Sequence, residues 1–75
     1  MDIKRIVGDN IRFIRQKKGL TLEDVAVISK MSLTFISDVE RCQKVASLVS
    51  IEKIAKALKV EPSILLVKDA HRNIK

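Results

Sequence analysis

Residues 20–41 constrain this chain more than any other stretch. Thr21 is a natural N-cap, and Leu22, Val25, Ala26 and Ile28 follow it at helical spacing. Ser29-Lys30-Met31 interrupts that apolar face without a proline, and Ser32 can cap a second helix. The second helix turns Phe35, Ile36 and Val39 inward and leaves Ser32, Leu33, Thr34, Ser37 and Asp38 outward. The spacing predicts two short helices, about residues 22–28 and 33–40, joined by a tight turn. Ala26 falls where the two cross most closely, so a small side chain is needed there. Crossed helices of this length bury little alone, and the unit needs scaffolding on both sides. The second helix is the one that a DNA groove would receive.

The flanks supply the scaffold. Ile3, Val7, Ile11 and Ile14 recur every three to four residues and predict a first helix over residues 3–18. Gly19 closes it as a left-handed cap, with Lys17 and Lys18 well placed at the negative end of the helix dipole. Ser47 caps a fourth helix described by Leu48, Ile51, Ile54, Ala55 and Leu58. Glu61-Pro62 opens a short fifth helix, with Ile64, Leu65 and Leu66 available to pack. Residues 71–75 read as a frayed tail. Repeats and β-alternation are absent, so the expected fold is all-α with five helices. Two glycines and one proline among 75 residues leave no linker, and residues 1–75 are expected to form one domain. Apolar residues make up 47% of the chain and aromatics 3%, an aliphatic composition that suits packed helices.

Charge is more informative divided than summed. The net is +6, but residues 1–19 carry +4, residues 20–41 carry −2 and residues 42–75 carry +4. The two-helix unit is slightly acidic, and the basic flanks suit sequence-independent phosphate contacts. A solvated surface explains the same charge equally well. No 18-residue apolar run and no charged-then-apolar leader occur, so a cytoplasmic protein with no membrane partner is expected. Cys42 is the only cysteine, which fits a reducing compartment, and it lacks the CxxC or histidine partner of a metal site. Paired carboxylates, a Cys–His pair and a phosphate-cradling glycine loop are likewise missing, so neither an enzyme nor a cofactor is expected.

The run Val7-Gly8…Ile11-Arg12…Ile14-Arg15…Lys18-Gly19-Leu20-Thr21-Leu22-Glu23-Asp24-Val25-Ala26 resembles the opening of Cro/CI or Xre-family helix-turn-helix regulators. Met31-Ser32…Phe35-Ile36-Ser37…Val39-Glu40-Arg41, then Ser47-Leu48, then Lys53-Ile54-Ala55-Lys56-Ala57-Leu58-Lys59-Val60 keep the family's order and spacing. The likeness covers about residues 7–66, with the helix-turn-helix at 22–41. Phe35 to Arg41 and the start of helix four look most like the small controller proteins of restriction–modification systems.

The resemblance implies a lambda-repressor-like fold whose third helix enters the major groove. Ser32, Leu33, Thr34, Ser37 and Asp38 would then face bases or phosphates. Thr34 could bond a base edge or pack its methyl on thymine, whereas Leu33 offers only apolar contact. Controller-like relatives often carry arginine at the position of Leu33. Thr21 and Leu22 would offer backbone amides to a phosphate, although many relatives carry glutamine at Leu22. Gln43 and Lys44, with Arg41 before them, fall where the family touches the next phosphates. Arg15 and Glu40 match a structural ion pair between helices one and three. Lys30 stands where the family favours glycine or asparagine and Cys42 where it usually has glycine, and the implied positive φ costs each roughly 1 kcal/mol or more. Ala46 replaces a common proline.

Plainer readings stand beside these. Phe35 suits packing better than base stacking, Cys42 suits a small filler, His71 lies in the tail, and Asp38 could simply be solvated. Surplus apolar residues on helices four and five, namely Val49, Ile64, Leu65 and Val67, mark an expected homodimer interface. Ile3, Ile6 and Phe13 exceed what one helix face needs. The function expected is a double-stranded-DNA-binding regulator, repressor or activator, acting as a homodimer on a symmetric operator, with RNA polymerase as partner if it activates. The competing class is an antitoxin or protein-interaction module on the same scaffold.

Overall fold

The computed structural model describes residues 2–68. Within them the chain forms α1 (Ile3–Lys17), α2 (Leu22–Ser29), α3 (Leu33–Glu40) and α4 (Leu48–Leu58), followed by a 3-10 turn (Pro62–Leu66). The all-helical expectation holds, but the fifth element is a 3-10 turn rather than an α-helix. Five residues opened by a proline are too few to sustain the longer-range α bonds; Ile64 N–H reaches back only to the Glu61 carbonyl, at 3.0 Å. The expected tail at residues 71–75, with His71, lies outside the described residues.

Every α-helix starts on a side-chain cap. Asp2 accepts from the Lys4 and Arg5 amides, Ser32 from Phe35 and Ser47 from Ser50. Thr21 and Asp24 form a reciprocal box, in which the Thr21 hydroxyl accepts from Asp24 N–H at 3.0 Å and the Asp24 carboxylate from Thr21 N–H at 2.9 Å. Every α-helix also ends alike. The amide pairs Leu20→Arg15 and Gly19→Gln16, Met31→Ala26 and Lys30→Val27, Gln43→Asp38 and Cys42→Val39, Val60→Ala55 and Lys59→Lys56 are the two reverse bonds of a Schellman turn. That turn needs one left-handed residue. Gly19 supplies it once, with φ 71°, and Lys30, Cys42 and Lys59 supply it elsewhere with φ of 58° to 63°.

α1 packs on α3 and on the 3-10 turn, α2 packs on α3 and α4, and α4 also meets the 3-10 turn. Their shared core is aliphatic, with Ile11, Ile14, Val25, Ile36, Ile54, Leu58 and Leu65 fully buried. Ala26 is buried, as a close crossing of α2 and α3 requires, and Phe35 packs half-buried at the core's edge. α1 comes so close to the end of α3 that a Cβ on Gly8 would stand 2.5 Å from the Val39 carbonyl oxygen. Glycine costs about 1 kcal/mol inside a helix, and this contact is its reason. Asn10 lies on the same buried stripe. Its side-chain amide donates to the carbonyls of Leu65 at 3.0 Å, Val67 at 2.8 Å and Ile64 at 3.4 Å, fastening the 3-10 turn to α1.

Candidate nucleic-acid interface

The orientation of α3 is set from behind. Arg15 on α1 clasps Glu40 on α3 with two bonds, Nε to Oε2 at 2.7 Å and Nη2 to Oε1 at 3.0 Å. Its remaining nitrogen, Nη1, donates to the Leu20 carbonyl at 2.8 Å, so one guanidinium ties α1, α3 and the start of the helix-turn-helix together. Both side chains are nearly buried, at 12% and 6% exposure, and the bidentate geometry satisfies them there.

With Ile36 and Val39 held in the core, α3 presents its opposite side. Ser32, Leu33 and Thr34 are exposed, and Ser37 and Asp38 are half-exposed. The Ser32 hydroxyl accepts the Phe35 amide, so its lone-pair capacity is partly used by the cap. Leu33 is 43% exposed, an apolar side chain with no core to cover. Past the end of α3, Arg41, Gln43 and Lys44 are all exposed. Gln43 donates to the Arg41 carbonyl at 3.3 Å. Arg41 and Lys44 both reach Asp38.

Thr21 and Leu22 sit less favourably for a phosphate. The capping box consumes the Thr21 and Asp24 amides, which leaves Leu22 N–H and Glu23 N–H at the helix start. Glu23 and Asp24 occupy the first turn, where their charge complements the helix dipole and opposes an incoming anion. Leu22 itself is half-buried against the core.

Arg12 and Gln16 give α1 a part in the site beyond scaffolding. They border a groove of about 340 Å3 between α1, the start of α2 and α3, lined also by Arg15, Leu22, Ser37, Glu40 and Arg41. The signal was available: residues 12, 15 and 16 stand at i, i+3 and i+4 and must share a helix face. The groove therefore adds a basic wall beside the outward face of α3.

The residues expected to form a dimer interface divide. Val49 is 60% exposed, Val67 46% exposed, and Ile64 half-buried, whereas Leu65 is 0% exposed. Leu65 belongs to the core, because the 3-10 turn rotates it inward between α1 and α4. Leu48, expected on the apolar face of α4, instead stands 77% exposed next to Val49, because the first turn of the helix lies beyond the core, and Val45 before it is 65% exposed. Among the described residues no cluster of three or more His, Cys, Asp or Glu could hold a metal ion, and no helix is long and apolar enough to cross a membrane.

Known proteins share this arrangement. A family model described as helix-turn-helix matches residues 11–65. The control protein C.BamHI of Bacillus amyloliquefaciens is 41% identical over 66 residues, covering 87% of this chain and 82% of that protein. The control protein C.SmaI of Serratia marcescens is 36% identical over 73 residues, covering 97% and 87%. The crystal structure of the restriction–modification controller protein C.AhdI from Aeromonas hydrophila matches with a TM-score of 0.80 at 39% identity, over 83% of this chain and 94% of that one.

Proposed function

The chain belongs to the helix-turn-helix family of transcriptional regulators, close to the restriction–modification controller proteins, and from that premise we propose that it reads a two-fold symmetric duplex operator as a homodimer. One observation carries the reading: the outward face of α3 is unobstructed and lies between two basic margins, Arg12 on α1 and Arg41 with Lys44 beyond its C-terminus. Thr34 and Ser37 read base edges, Leu33 packs on a thymine methyl, and Ser32 lies at the groove's rim. Arg41, Gln43 and Lys44 take phosphates and set the register, with the Thr21–Leu22 helix start as a weaker contact. Arg15 and Glu40 hold α3 at its angle without touching DNA.

A domain with one short reading helix has too few base contacts to select a genomic site, and two-fold duplication doubles them. The interface is assigned to Val49, Ile64 and Val67, extended by Leu48. Residues 1–75 act as one DNA-binding domain with no cofactor and no catalytic step. The genes controlled belong to a restriction–modification system, and the position of the operator relative to the promoter decides between repression and activation, with RNA polymerase as partner in the second case.

Selection from a randomised duplex pool should yield one symmetric sequence with half-sites about one helical turn apart. In gel shifts on that duplex, Thr34→Ala should weaken the selected site and spare random DNA, while Lys44→Ala should weaken both alike. Equal losses for the two variants on both duplexes would refute the division between base reader and phosphate contact.

A further inference from the structure

Asp38 has an unusual position for a carboxylate on a DNA-reading helix. It lies near the C-terminal end of α3, where the helix dipole already disfavours negative charge, and it faces a polyanion when the helix enters a groove. Its two oxygens are both occupied. Oδ1 accepts from Arg41 Nη2 at 3.0 Å, and Oδ2 pairs with Lys44 Nζ at 3.5 Å. The carboxylate is 16% exposed, while Arg41 and Lys44 are 68% and 54% exposed. The anion is thus the sheltered member of the trio and the cations are the exposed ones.

Resting on the DNA-binding reading above, we propose that Asp38 restrains sequence-independent DNA binding by holding Arg41 and Lys44 in ion pairs that a phosphate must break. The trio presents a net charge of one rather than two to an approaching duplex. A random sequence offers only phosphates, so the restraint falls on the interaction that non-specific binding depends on. Asp38 is accordingly a positioning residue, and its influence passes through the two cations. The Gln43 amide bonds to the backbone carbonyl of Asp38 at 2.8 Å, a contact that side-chain substitution leaves in place.

The test is a double-mutant cycle read as salt dependence on a random-sequence duplex of about three helical turns. Asp38→Asn should bind that duplex more tightly at low salt than the unaltered protein does. Its slope of log affinity against log salt should steepen by about 0.9 for each cation released, roughly a further 3.5-fold loss of affinity per cation between about 50 and 200 mM salt. In the Arg41→Ala/Lys44→Ala background the same Asp38→Asn change should leave the slope unaltered. Asp38→Glu, which keeps the charge, should retain the original slope, and circular dichroism melts should show all variants folded. An Asp38→Asn slope that matches the unaltered protein, or a steepening that persists without the two cations, would overturn the proposal. Failure of the unaltered protein to bind any duplex would instead overturn the DNA-binding reading, and this inference with it.

Discussion

Arg15 and Glu40 concentrate the interface's geometry in a single contact. The pair is nearly buried and doubly bonded, so removing one partner strands the other charge in a site with little water. Arg15→Ala or Glu40→Ala should each lower the unfolding free energy by about 3 kcal/mol in urea titrations, and Arg15→Met with Glu40→Leu together should recover much of that loss. Equal and additive losses in the double variant would mean that the pair is a surface contact in practice. The contact spans 25 residues of sequence and has no local signature, so only the family resemblance made it legible. The Asn10 contact also spans most of the described chain and leaves little local mark. A lone amide in a helix is ordinary, and the clue lay in its place three residues after Val7 and four before Ile14, on the stripe that is buried. The outward set Ser32, Leu33, Thr34, Ser37 and Asp38 was readable because period and cap fix which side of α3 faces the core. What joins Asp38 to Arg41 and Lys44 was not readable, since it depends on how the chain turns after the helix.

The four helix ends share one backbone solution with unequal side chains. A β-carbon in the left-handed region costs about 1–2 kcal/mol, and Lys30, Cys42 and Lys59 each bear that cost. Lys59→Gly should therefore raise stability by up to about 1 kcal/mol, allowing for glycine's extra entropy in the unfolded chain. For a domain of this size that is a rise of about 4–8 °C in midpoint on thermal melting. Cys42→Gly should gain less, because the Cys42 sulfur packs near Gly8, within 3.1 Å of where a β-carbon would stand there. A lowered midpoint for Lys59→Gly would mean that strain at the cap is relieved by other means. The family resemblance implied a positive φ at Lys30 and at Cys42, and both residues adopt one. Leu58-Lys59-Val60 carries no such mark, because nothing in it stops a helix. The 3-10 turn escaped for a similar reason: Pro62 starts either kind of helix, and only the length available decides between them.

At the scale of the whole molecule, Leu48 and Val49 on α4 and Leu66 and Val67 at the 3-10 turn are apolar side chains that the other described residues leave exposed. Val49→Asp or Ile64→Asp should shift the protein toward monomer in analytical ultracentrifugation and weaken operator binding, with the thermal melt nearly kept. Leu65→Asp should behave differently and unfold the domain, since a charge would enter the fully buried core. An unchanged oligomer in both surface variants would move the interface to the apolar surplus on α1, where Ile3 is 46% and Phe13 39% exposed. The two ends of the described chain also bear on when this protein can fold. The Asn10 amide is buried, and its acceptors lie 54 to 57 residues downstream. During synthesis, therefore, Asn10 emerges well before residues 64–67 that supply its acceptors. Any earlier compact state must leave that amide in water or bury it unsatisfied. A compact state that lacks the C-terminal turn therefore forgoes the Asn10 bonds, each worth about 0.5–1.5 kcal/mol, and is the less stable for it.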